Sequence, residues 1–415
     1  MEISLKKISF YMLVVIFSLF SFTTLTYDFY PIINRLLGIV IVGLILVTYL
    51  LTIKKRDLII VLFILFVGLN GVMYDVSNSY NDAMYFVITL LLVWKLTDED
   101  FMNYFSNSII ILKKFIFFVL LLNISIIFIG LFLNQCYEIV WYDRYFLLFA
   151  YSSHSLSCSI CITLILVLFC SKELKYDLVK IAIFSLLSFA LFQTGARTYV
   201  IAAVILWIYL FKYDIKNKNL KFIILPIMVF AFIFILLNSN FVQKNDYASN
   251  DSYTSDNSLI SFSSGRIKFW SIDINEYFKY DFIKKLFGSG FGSIYDINEN
   301  LYGRRIWGHN DLINTLVCNG IVGLVLYVFV FCNVLIKVFK KNKFDCLLLF
   351  IYITFTCFFN GVFKYQHYVY SIVFFYSIMY IKNMRIVESD VKEKVFMKNE
   401  ILTSIKNDDL RSFYE

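Results

Sequence analysis

Charge is scarce in this chain. Only 16% of its 415 residues are Asp, Glu, Lys or Arg, while 60% are hydrophobic, and a water-soluble globule cannot cover itself with so few polar side chains. Proline is almost absent, at Pro31 and Pro226 alone, so few helices lose their continuity to that residue. Histidine numbers three, and no pair of them stands at the i,i+3 or i,i+4 spacing of neighbouring ligands on one helix; a zinc site is not indicated. No internal repeat of fixed period is evident, nor a matched pair of broken helices in the two halves. The sequence signs of many secondary transporters are therefore missing.

What the chain has instead is apolar runs. About twelve are long enough, or nearly so, for the ~30 Å hydrocarbon layer at 1.5 Å per residue, from Ile8–Leu25 through a ninth at Phe222–Leu237 to a last at Tyr368–Ile381. An all-α polytopic membrane protein follows, with residues 1–415 forming a single integral membrane domain. Orientation comes from Lys and Arg, which concentrate in short cytoplasmic loops. With an inner N-terminus, 21 basic residues fall inside and four, Arg35, Arg144, Arg197 and Lys364, fall in short outer segments. Both termini are then cytoplasmic, with a cytoplasmic tail over 382–415 and one long external (periplasmic) loop over 238–308. The net charge of +8 needs no nucleic acid to explain it. The first run is too long for a signal-peptide core and lacks a small-residue exit, so it is expected to stay as a span. All eight cysteines except Cys136 sit in or at the edge of apolar runs, where Cys acts as a small hydrophobe. Cys158-x-x-Cys161, inside a span, therefore indicates neither a redox pair nor a metal site.

The long loop has two parts. Its beginning, 238–263, is dense in Asn, Ser and Asp and lacks a packing pattern. From Ser264, Ile267, Trp270, Ile274, Tyr277 or Phe278 and Phe282 recur at helical spacing, opposite Lys268, Ser271, Asn275 and Lys279. This predicts an amphipathic helix lying on the outer membrane surface or packed over the bundle. Gly288-Ser289-Gly290-Phe291-Gly292 ends that pattern, and with no strand before it the run is a turn, not a dinucleotide fingerprint.

Chemistry is expected where this loop re-enters the membrane, at Gly308-His309-Asn310. An imidazole there can exchange protons near neutral pH, and Asn310, Asp311 and Asn314 are candidates to cap the helix that follows. The alternative for His309 is a ring among lipid headgroups. Arg197 stands in a turn, Gly195-Ala196-Arg197-Thr198, too short to leave the interface, where a lone charge is costly without a function. Arg266 opens the amphipathic helix, and Arg304 and Arg305 precede His309 by five and four positions. Guanidinium groups hold phosphate oxygens in pairs and keep their charge; for Arg304 and Arg305, simple solvation is the other reading. Structural or interfacial roles suit His154 and His367.

Together these segments resemble the O-antigen polymerase and ligase superfamily of bacterial envelope enzymes. The resemblance rests on Gly195-Ala196-Arg197-Thr198, Ser264-Gly265-Arg266 with Trp270, Leu286 to Gly292, and Gly308-His309-Asn310 with Asn319-Gly320-Ile321-Val322-Gly323. It implies a membrane-embedded glycosyltransferase of GT-C-like architecture in the bacterial plasma membrane. The donor would be an undecaprenyl-diphosphate-linked oligosaccharide, with no cofactor and no metal. By motif, Arg197 and Arg266 would bind the diphosphate, with Arg304 and Arg305 as further candidates, and His309 would bind or deprotonate the acceptor hydroxyl. Ala196 replaces the usual Ser before the first Arg, which removes any role for that hydroxyl here. The expected partners are the lipid-linked substrate, membrane lipids, a chain-length regulator and a flippase. A flippase is also the rival reading for the chain itself; it would want ionisable residues along mid-span, whereas here they gather at span ends.

Overall fold

The computed structural model describes residues 4–73, 79–140, 143–223, 266–303 and 305–384. Helices α1 (Leu5–Leu25), α2 (Pro31–Leu50), α3 (Lys55–Met73) and α4 (Ser79–Lys95) run back and forth. The short α5 (Glu99–Ile111) leads into α6 (Lys113–Phe132), a hairpin of β1 (Tyr137–Val140) and β2 (Asp143–Phe146), then α7 (Ser153–Phe169), α8 (Asp177–Gln193) and α9 (Arg197–Tyr213). The later part comprises α10 (Arg266–Lys279), α11 (Phe282–Phe287), α12 (Ser293–Tyr302), the long α13 (Asp311–Lys341), α14 (Lys343–Phe359) and α15 (366–384).

Among the described residues, α1, α2, α6 and α13 are long and apolar enough to cross a membrane. Helix α2 shows why the solvent around it must be lipid: it buries only Asn34, Ile41, Ile45, Thr48 and Tyr49, and turns Ile32, Leu36, Ile39 and Leu50 outward. In water such a face would be an aggregation surface. The protein is a helical membrane protein. The expected runs coincide with helices except Phe222–Leu237, which lies almost wholly outside the described residues, as do 238–265, Arg304 and the tail from 385. Helix α5 was not among the expected runs. Its 13 residues are too few to span, but it buries Phe101, Met102 and Phe105 against α1.

The antiparallel path sorts polar residues to two ends. At one end Lys95, only 1% exposed, is held by Asp57 at 2.9 Å and Asp98 at 3.3 Å, and Lys382 pairs with Asp214 at 2.9 Å. Burying these cations is tolerable because each has a carboxylate in contact. At the other end lie the starts of α7, α13 and α15, and with them His154, His309 and His367. The last of these donates to or accepts from Thr24 Oγ1 at 2.9 Å and stacks on Phe20 at 4.7 Å, a packing role.

Helix α13 is broken at Gly320, whose φ of 65° and ψ of −167° are open to glycine almost alone. The break frees carbonyls that the next turn would have used. Val317 O and Cys318 O instead accept from Ser289 N at 3.2 Å and Gly290 N at 2.9 Å. Gly288 and Gly290 take φ of 84° and 88° to make that approach, so the glycine run is a turn that wedges into the broken helix. It is tied to α3 as well, through Phe291 N to Gly71 O at 2.9 Å and Asn70 Nδ2 to Phe287 O at 2.6 Å.

Candidate active site

Helix α10 forms from Arg266 as expected, and its buried face shares Trp270 and Tyr277 with the expected one but not the rest. Asp273 and Tyr277 are the buried residues, while Ile267 and Phe278 are 39% and 66% exposed and Phe282 belongs to α11. The inward stripe therefore runs Arg266, Trp270, Asp273, Tyr277, rotated from the one that hydrophobicity alone selects. The reason is that this face packs on polar turns. Trp270 Nε1 donates to Gly308 O at 2.7 Å, and a Cβ on Gly308 would stand 2.5 Å from Asn314 Oδ1 and 3.0 Å from Asp273 Oδ2. Only glycine fits there. Burial drives the Asp273 carboxyl up to about 7, and neither of its oxygens has a hydrogen-bond partner.

His309 follows with φ of 54°, a left-handed conformation uncommon outside glycine and suggestive of a position fixed by its surroundings. Asn310 then starts α13 by accepting Leu312 N at 3.0 Å and Ile313 N at 3.1 Å on its side-chain oxygen, satisfying amides the helix itself leaves open. Asp311, expected as a cap, turns elsewhere. Its Oδ2 accepts from Tyr327 OH at 2.6 Å and Val362 N at 2.6 Å, which clamps the 361–365 turn between α14 and α15 to the base of α13. Gly361 has φ of 89°, and a Cβ there would lie 2.6 Å from Asp311 Oδ1.

That clamp delivers aromatic and polar side chains to His309. The ring of His154, at the start of α7, lies 6.5 Å from the ring of His309, 5.2 Å from Tyr365 and 6.0 Å from Tyr199. Asn360 Nδ2 approaches His154 Nδ1 at 3.3 Å and donates to Tyr199 OH at 2.6 Å. The Arg266 guanidinium donates to Phe359 O. Burial lowers its pKa from the ordinary arginine value, and the neighbouring Tyr365 and Tyr199 phenols offset part of that shift. Burial likewise raises Tyr365, against the pull of Arg266. Arg266 and His309 thus meet around Tyr365 and His154. Arg197 is the first residue of α9, two positions before Tyr199; Gly195 makes the turn into α9 with φ of 66°, its Cα face closed by the Tyr145 ring.

Arg305 is placed differently. Its guanidinium bonds Asp296 at 2.7 Å and Glu299 at 2.9 Å on α12, which satisfies the charge locally, and Arg304 is outside the described residues. Sequence reasoning gave His154 a structural or interfacial role and did not single out Asn360, Tyr199 and Tyr365; the four come from α7, α9, the residue that ends α14 and the turn after it. It also passed over Lys364, which pairs with the buried Asp82 and lies 5.1 Å and 5.2 Å above the rings of Tyr295 and Trp307. No signal short of the fold links those positions. Among the described residues no three His, Cys, Asp or Glu side chains converge as metal ligands. A cavity of about 750 Å³ opens at the opposite end, beside Lys172, Lys175 and Lys216, and holds none of the residues gathered around His309.

The chain is a helical membrane protein that brings a guanidinium and two imidazoles to the foot of one broken helix. More narrowly, residues 182–328 match the family model described as O-antigen ligase. This segment runs from within α8 to within α13, about a third of the chain. It supports the O-antigen polymerase and ligase superfamily, a group of glycosyltransferase-like enzymes. No curated protein and no solved structure is similar enough to add to it.

Proposed function

We propose that the protein polymerises oligosaccharide repeat units carried on undecaprenyl diphosphate at the outer face of the bacterial plasma membrane. The observation that carries this reading is the meeting of Arg266 and His309 around Tyr365 and His154, inside the segment that matches the family. In the reaction an acceptor hydroxyl attacks the anomeric carbon of the lipid-linked donor. The new bond is carbon to acceptor oxygen, and the bond to the diphosphate oxygen breaks with its electron pair leaving on the lipid diphosphate. His309 takes the hydroxyl proton, as an imidazole can near neutral pH. Arg266, with Arg197, stabilises the charge that grows on the diphosphate, an effect strengthened where water is partly excluded. Arg304 and Arg305 would act further out, on a diphosphate entering from the loop side. The orientation argued from Lys and Arg puts this end outside, within a twelve-span bundle and below the 238–308 loop.

A ligase, which moves a finished glycan to a lipid A core acceptor, is favoured by one observation, the description of the matching family. Both reactions use the same donor chemistry, and the acceptor separates them. The test is to express His309→Ala, Arg197→Ala and Arg266→Ala, confirm their membrane levels, and resolve the cellular glycans. A polymerase loses long chains and keeps single lipid-linked repeats. A ligase keeps long lipid-linked chains that fail to reach the core, and wild-type ladders from all three variants would end the reading. Reporter fusions after Asn257 and Lys341 should report opposite sides of the membrane.

A further inference from the structure

The second histidine of the site has no role in that scheme, yet it is placed as carefully as the first. With ring centroids 6.5 Å apart, the nearest nitrogens of His154 and His309 stand no closer than about 4 Å, beyond a direct hydrogen bond and leaving space for an oxygen between the rings. Asn360 is wholly buried, and its amide nitrogen faces His154 Nδ1 at 3.3 Å. An amide N–H donates, so Nδ1 accepts, and the neutral ring carries its proton on Nε2. The same amide nitrogen donates to Tyr199 OH at 2.6 Å, which fixes the Asn360 side chain from a second helix. The hydrogen bond to Asn360 thereby sets His154 up to donate from Nε2.

We propose that His154 is a second acceptor-binding imidazole, donating from Nε2–H to the oxygen of the attacking hydroxyl while His309 removes that hydroxyl's proton. The proposal rests on the glycosyl-transfer reading above. A hydroxyl oxygen has two lone pairs, so one can receive His154 while the other forms the bond to the anomeric carbon. The proton goes to His309 and the leaving electron pair to the lipid diphosphate, so His154 ends the step as it began. Its function is to hold the nucleophile in line, which is where positioning gains most.

The test uses full-length protein in nanodiscs with a lipid-diphosphate oligosaccharide as donor, measuring rate against acceptor concentration. His154→Gln keeps an N–H donor of similar reach and should stay within about threefold of wild type, whereas His154→Phe keeps bulk without the donor. The phenylalanine variant should lose roughly tenfold in kcat/KM for acceptor, the worth of one hydrogen bond, with KM for donor unchanged. His309→Ala should lose roughly a hundredfold or more, as expected on removing a general base. Wild-type acceptor kinetics in His154→Phe would overturn the proposal, as would equal losses in the Gln and Phe variants with both KM values altered, the mark of a packing role. Where phenylalanine is not accommodated, His154→Leu repeats the comparison under the same criteria. If His309→Ala itself keeps full activity, the glycosyl-transfer reading fails first and takes the proposal with it; activity lost at His309 but not at His154 overturns the proposal alone.

Discussion

Asp273 offers the sharpest test of how this end of the bundle is held. Its carboxyl is fully buried, lacks hydrogen-bond partners, and is pushed up to about 7 by burial. In the unfolded chain an aspartate titrates near ~3.9. Below that value both states carry the proton and the residue costs nothing through linkage. Between the two values the folded state keeps a proton the unfolded state has lost, so stability falls as pH rises, by about 1.4 kcal/mol per unit. Over roughly three units the loss approaches about 4 kcal/mol, an upper figure because α10 can open locally and let the carboxylate reach water. Asp273→Asn removes the titration and leaves the shape. Thermal unfolding followed by tryptophan fluorescence is well suited, since Trp270 sits one turn away on the same face of α10. Variant and wild type should keep a constant difference below about pH 4 and diverge above it, the variant gaining in relative stability up to about pH 7. Parallel melting curves for the two proteins from pH 5 to 8 would refute the assignment of a buried, unpaired carboxyl.

Two further perturbations probe the frame. Gly320→Ala puts a side chain into a conformation that costs about 1–3 kcal/mol for anything but glycine, and directly against the Leu286 carbonyl; limited proteolysis should show new cleavage around Gly288, and an unchanged digest would show that α11 does not depend on the break. Lys95→Met leaves Asp57 and Asp98 without their shared cation and should destabilise by about 3–5 kcal/mol, partly recovered by adding Asp57→Asn. A single variant that melts like wild type in detergent would mean the pair is relaxed by water.

The membrane character was legible in the sequence because hydropathy and length report the same physical demand that lipid makes on a helix. Helix order was legible for a related reason, since alternation follows once the runs are found. Errors arose where burial is polar. The register of α10 was misread because Asp273 looks like a surface residue until Gly308 and Trp270 are set beside it. Asp311 was read as a cap because it stands at a helix start, although its partners, Tyr327 and Val362, lie 16 and 51 positions away. Helix α5 was missed because its Phe101, Met102 and Phe105 form a one-sided stripe interrupted by Glu99, Asp100 and Asn103, too polar to score as a span. Of the expected site residues, Arg266 and His309 converge and Arg305 is engaged on α12. Nothing in local pattern could have told Arg266 from Arg305, because the difference lies in which carboxylates or carbonyls the fold brings to each.

The position of His309 is thus not a property of the helix it precedes. A histidine inside α13 would be set by helical geometry and would tolerate changes in its neighbours. This one is held in a left-handed turn, between a glycine that has no room for a Cβ and an asparagine committed to capping, with Trp270 gripping the carbonyl just before it. Each of those contacts comes from a different requirement, so the strained backbone is determined several times over. Arg266, Trp270 and Asp273 lie at i, i+4 and i+7 of one helix face, so the guanidinium and the groups packed around Gly308 and His309 are carried by one helix. Small changes in the seating of α10 therefore alter the distance between Arg266 and His309 together with the packing at Gly308.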